Sequence, residues 1–132
     1  MIGYVTLGSN DIGRARAFYD ALLGELGARR LMEMSEANGG FTLYGTDWAR
    51  PSLAVTRPYD RRPASAGNGT MVALRVDTRA LVDALHARAL ALGGTCEGPP
   101  GLRGRPDMGF YAAYFRDPDG NKLAAFNHSP GG

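Results

Sequence analysis

Residues 114–126 read Tyr114-Phe115-Arg116-Asp117-Pro118-Asp119-Gly120-Asn121-Lys122-Leu123-Ala124-Ala125-Phe126, and this stretch decides the fold. Two apolar, strand-like runs flank Asp117-Pro118-Asp119-Gly120-Asn121. Proline presets φ for a tight turn, and glycine accepts the positive φ that sends the chain back. The segment is therefore a β-hairpin, with strands over Phe110 to Arg116 and Lys122 to Asn127.

Working backwards, the hairpin closes a series of elements. Thr70 to Val76 has strand character, and Asp77 or Thr78 is placed to cap a helix. Leu81, Leu85, Ala89 and Leu92 give that helix one apolar face, and Gly93-Gly94 stops it. A short strand is expected over Thr95 to Gly98, followed by a Pro- and Gly-rich loop from Gly98 to Gly109.

The first half repeats this order. Ile2 to Leu7 is strand-like, and Asn10 or Asp11 caps a helix with Ile12, Ala15, Tyr19, Leu22, Leu23 and Leu26 on one face, ended by Gly27. Strands are expected over Arg29 to Ser35, Gly40 to Gly45 and Ser52 to Thr56. An offset of 67 lays Tyr4 on Met71, Val5 on Val72, Leu7 on Leu74 and Gly27 on Gly94. An offset of 70 lays Leu53-Ala54-Val55 on Leu123-Ala124-Ala125. The sequence predicts one α+β domain over residues 1–132, built from two βαβββ modules at 1–57 and 70–128 with a linker at 58–69. Helices outside and two sheets curled around a cleft complete this expectation.

Composition narrows the function. The chain has 132 residues, 44% hydrophobic and 21% charged, which suits a folded domain with a real core. A net charge of +2 gives no footprint for nucleic acid. Basic residues are scattered except from Arg57 to Arg62, which read as a solvated loop. Cys96 is the only cysteine, so no internal disulfide forms, in keeping with a cytoplasmic protein. No apolar run approaches the ~18 residues of a membrane span, and the start lacks a basic, apolar leader.

The chain resembles the vicinal oxygen chelate proteins, the superfamily of glyoxalases, bleomycin resistance proteins and extradiol dioxygenases. The resemblance rests on Tyr4-Val5-Thr6-Leu7-Gly8-Ser9-Asn10-Asp11, on Ala17-Phe18-Tyr19 with Leu22-Leu23-Gly24, and on Phe115 to Leu123, in order on the duplicated pattern. It covers nearly the whole chain. It implies a glyoxalase-like fold, and in members that use metal it implies His or Glu ligands at four strand positions. Those positions here are Tyr4, Ala54, Met71 and Ala124. None is His, Asp or Glu; Ala has no donor atom, and a Met thioether suits only soft ions. No metal and no cofactor are expected.

Only two histidines occur. His86 is expected to face solvent on the second helix, and His128 lies near the chain end. Cys96 is either a small buried hydrophobe or a loop thiol, with no partner histidine in a recognisable motif.

Strand alternation indicates what replaces metal. Tyr4 and Thr6 share one face, as do Met71, Ala73 and Arg75, and likewise Lys122, Ala124 and Phe126. The resemblance turns Tyr114 into the site, with Ala112 and Phe110 beside it. The expected ligand-binding residues are Tyr4, Ala54, Met71, Arg75, Tyr114, Ala124, Phe126 and Trp48. Arg75, a charge on an inward face, asks for an anionic partner. Trp48 can close a cleft mouth, fill a seam between chains, or simply pack.

Three readings follow. The first is a metal-free protein that binds a small, partly apolar molecule, as the superfamily's resistance proteins do. The second is an enzyme, a glyoxalase-type lyase, isomerase or dioxygenase, working through unexpected metal ligands or through Tyr114, Tyr4 and Lys122 as acid–base groups. The third is an assembly module with a filled cleft. The resemblance also implies a homodimer.

Overall fold

A computed structural model describes residues 1–130. The chain divides into two compact units, Met1–Asn68 and Gly69–Gly132.

The first unit runs β1 (Tyr4–Gly8), α1 (Ile12–Gly24), β2 (Arg29–Glu33), β3 (Thr42–Gly45) and β4 (Ser52–Thr56). Its sheet has the order β1-β4-β3-β2, with β1 and β4 parallel and the other pairs antiparallel. Asp11 caps α1: its side chain accepts the Arg14 N–H at 3.0 Å, while the Ser9 hydroxyl oxygen accepts the N–H of Asp11. Ile12, Ala15, Phe18, Tyr19, Leu22 and Leu23 are buried, the three- and four-residue rhythm of a helix laid on a sheet. Beneath them lie Leu7, Leu53, Val55 and Tyr44. Burying one such side chain contributes about 1.5–3 kcal/mol.

The second unit repeats the plan with β5 (Val72–Arg75), α2 (Arg79–Ala91), β6 (Thr95–Leu102), β7 (Phe110–Arg116) and β8 (Lys122–His128). The sheet order is β5-β8-β7-β6, again with one parallel pair, β5 with β8. Thr78 caps α2 by accepting the Leu81 N–H at 3.1 Å. The chain leaves the helix through Gly93 at φ +96°. The α+β architecture with two four-stranded sheets, each carrying one helix, is as expected from the sequence.

Several details differ. The buried face of α2 is Val82, Leu85, His86 and Ala89, with Leu81 and Leu92 only half-buried. His86, expected in solvent, is 8% exposed, because the helix is turned about one position from the phase its leucines suggest. Phe18 joins the core of α1, and Leu26 lies beyond the helix end at the Gly24–Gly27 turn. The strand expected over Thr95 to Gly98 extends to Leu102 and includes Pro99 and Pro100. Those prolines are tolerated because β6 ends its sheet and pairs only with β7.

The decisive hairpin forms as read. Asp117 is 3% exposed; its Oδ1 accepts the N–H groups of Asp119 and Asn121, each at 2.9 Å, and its Oδ2 accepts the Asn121 side-chain amide. Gly120 takes φ +90°, which a side chain would resist. Among the described residues no helix is long and apolar enough to cross a membrane.

Candidate functional site

In the second unit, β-sheet register assigns each side chain to a face. Val72, Leu74, Ala113, Phe115, Leu123 and Ala125 turn towards α2. The opposite face gathers Ala73, Arg75, Phe110, Ala112, Tyr114, Lys122, Ala124 and Phe126, which pair across strands as Ala73 with Ala124, Arg75 with Phe126, Ala112 with Phe126 and Tyr114 with Ala124. Ala112 and Ala124 are buried, so two methyl groups floor this face between larger side chains.

Those larger side chains are rings and cations. Phe110 and Phe126 stack, centroids 5.3 Å apart and planes within 23°. The Arg75 guanidinium lies 5.4 Å from the Phe126 ring centroid. Tyr114 is approached by two cations, the Arg103 guanidinium at 5.5 Å and the Lys122 ammonium at 5.7 Å. Such contacts are worth about 0.5–1 kcal/mol each where solvent reaches them. Gly98 faces Tyr114 across β6 and β7, where a Cβ would stand 3.1 Å from the Tyr114 ring and crowd it. Among the described residues Lys122 and Arg75 have no carboxylate partner at ion-pair distance, whereas Arg116 is paired with Glu97.

The first unit offers the matching face. Thr6 and Leu43 flank Ala54 across the sheet, and Tyr4, two residues before Thr6, packs edge-on against Phe41 at 6.2 Å. Ala54 is fully buried, while Tyr4 and Met71 are 57% and 44% exposed.

The expected residues are thus distributed as follows. Arg75, Tyr114, Ala124 and Phe126 come together on one face of the second unit, with Met71 just before β5. Tyr4 and Ala54 share the corresponding face of the first unit. Trp48 stands on the β3–β4 connection, 68% exposed, and makes no ring contact among the described residues. Arg103 was not anticipated. It sits in a segment that reads as a loop, and only its neighbouring glycines hint that a long side chain folds back there.

Tyr4, Ala54, Met71 and Ala124 offer a phenol, a thioether and two methyl groups, donors that do not suit a hard divalent ion. Among the described residues no group of three or more His, Cys, Asp or Glu is placed to hold a metal.

A repeated βαβββ plan, a Pro-Asp-Gly hairpin and a helix-free sheet face lined by rings define a recognisable class. The chain belongs to the glyoxalase/bleomycin resistance protein/dioxygenase superfamily, whose family model matches residues 1–125. A glyoxalase/bleomycin resistance protein from Albidiferax ferrireducens is 36% identical and superposes with a TM-score of 0.81, covering 98% of this chain and 99% of that one. A family enzyme from Burkholderia phytofirmans, 21% identical over 96% of this chain and 98% of its own, has a TM-score of 0.70. The E144Q mutant of maize (Zea mays) glyoxalase I, 18% identical, matches 95% of this chain with 44% of its own length at a TM-score of 0.72. The last two establish the glyoxalase-like fold alone. No curated protein matches the chain.

Proposed function

We propose that this protein binds a small, planar, anionic molecule without metal, using the helix-free face of its second unit. The observation that carries this reading is the Phe110–Phe126 stack with Arg75 over it, beside Tyr114 set between Arg103 and Lys122. Rings supply dispersion and stacking area, cations supply the complement to a carboxylate or sulfonate, and the small Ala112 and Ala124 side chains put no bulky group between them. The vacant donor positions at Ala54 and Ala124 favour sequestration over metal-assisted chemistry, in the manner of the superfamily's resistance proteins.

On this reading the protein acts in the cytoplasm as a homodimer. The lone cysteine supports the first statement, and the exposure of Ile2, Tyr4 and Met71 at 55%, 57% and 44% supports the second, since a second chain would cover apolar side chains that one chain leaves in water.

A thermal-shift screen of aromatic carboxylates and sulfonates, in parallel with Mn, Ni and Zn salts, tests the proposal. Stabilisation by an aromatic anion that is lost in Arg75→Ala is expected, with no stabilisation by metal. Stabilisation by stoichiometric metal, or binding indifferent to Arg75→Ala, would overturn it.

A further inference from the structure

The linker that follows β4 does more than connect. Asn10, Glu36, Arg57, Arg61, Arg62 and Pro63, all in the first unit, are among the residues that line an open cavity of about 580 Å³. Three of these side chains are guanidinium groups and one is a carboxylate, a formal surplus of two positive charges (three minus one). None of the three arginines has an ion-pair partner among the described residues. Arg57 donates only a long bond to the Asn10 carbonyl, at 3.4 Å, and Asp60, the nearest acid in the loop, accepts the Arg62 backbone N–H.

A run of arginines in a mobile loop would be an ordinary solvated surface. This loop is pinned. The Asn10 amide reads Ala64 from both sides, accepting its N–H at 2.7 Å and donating to its carbonyl at 3.3 Å. Ala64 also sits over Gly8, where a Cβ would come within 2.9 Å of its own. Pro58 and Pro63 bracket the basic run, and the Arg61 N–H closes a turn on the Pro58 carbonyl at 3.1 Å. Arg61 itself has φ +65°, the one non-glycine residue with positive φ among those described. The fold thus holds like charges together on a fixed, concave frame and keeps Arg61 in a backbone state that side chains disfavour.

We infer that this cavity is a second binding site, distinct from the ring-lined face, for a small polyanion bearing phosphate or clustered carboxylate groups. Planar guanidinium forks pair such oxygens two at a time, and three forks around one cavity suit a ligand with two or more anionic centres. Glu36 stands on the rim as the opposing charge and limits affinity.

Calorimetric titration of the full chain with inorganic pyrophosphate and, separately, with citrate tests this and tells the two chemistries apart. Saturable one-to-one binding is expected for at least one. Arg62→Ala and Arg61→Gly each weaken it by ~10-fold, the worth of one charge-assisted contact, and Glu36→Gln tightens it. Arg61→Gly removes the guanidinium while relieving its backbone, so its melting temperature does not fall and lost binding is not lost folding. Arg105→Ala, an exposed arginine of the second unit, changes nothing. Absence of saturation at millimolar anion, or equal weakening by Arg105→Ala, overturns the inference.

Discussion

The Nε2 atom of His86 lies 3.2 Å from the Sγ atom of Cys96, tying the buried side of α2 to the edge strand β6. The imidazole also packs edge-on against Phe115, 6.5 Å between centroids. Burial disfavours the charged ring and lowers its pKa below 6.5, with the Asp83 carboxylate acting in the opposite sense. The folded chain therefore binds a proton at His86 less readily than the unfolded chain does. Stability should be level above pH 6.5 and fall as pH drops below it. Urea midpoints measured against pH check this, and His86→Leu should flatten that part of the profile. An unchanged slope in the variant would assign it elsewhere.

A second network holds α1 to its sheet. Asp20 accepts two bonds from Arg30, at 2.9 and 2.7 Å, and one from the Tyr44 hydroxyl at 2.8 Å. Partial burial works against the Asp20 carboxylate, yet the bonds from Arg30 and Tyr44 outweigh it and hold the carboxyl below its usual range. Its contribution is present above about pH 4 and is lost as acid protonates it at lower pH. Tyr44→Phe should cost about 0.5–1.5 kcal/mol by chemical denaturation, with the ring's packing retained.

Asp117 is the least replaceable residue of the hairpin. Asp117→Ala strips acceptors from two backbone N–H groups and the Asn121 amide, and should cost about 2–3 kcal/mol. Asp117→Asn retains one acceptor oxygen and should cost less. Thermal melts of both variants decide it; equal losses would mean that charge, not acceptor geometry, sets the turn.

Arg61→Gly should raise stability by roughly 0.5–1 kcal/mol. A left-handed side-chain residue costs about 1–2 kcal/mol, and the extra freedom of unfolded glycine returns about 0.5–1 kcal/mol of that. The expected change is a higher denaturant midpoint with the slope unaltered.

Much of this was written in the chain. The duplication placed Ala54 and Ala124 at matching positions, and the register confirms it: Ala54 pairs with Thr6 as Ala124 pairs with Ala73. Alternation put Arg75 and Phe126 on inner strand faces and the family resemblance added Tyr114; the register gathers all three on one face. What periodicity missed has physical causes. Leu81 and Leu92 drew the apolar stripe of α2 away from Val82 and His86, because leucines at helix ends remain half in water. Pro99-Pro100 argued for a loop, and a strand with only one neighbour can carry them. The placement of Arg103 over Tyr114 depends on a side chain folding back across β6, which no local pattern records.

Pro99 and Pro100 have one more effect. A terminal strand normally offers its free N–H and carbonyl groups to any extended chain that drifts past, and this is how soluble proteins begin to stack into fibres. Neither proline has an N–H to give. The outer flank of β6 is therefore a poor template in its middle, and the eight-residue strand can be long without recruiting stray strands. Replacing both prolines with valine would leave the pairing to β7 in place while opening that flank to self-association.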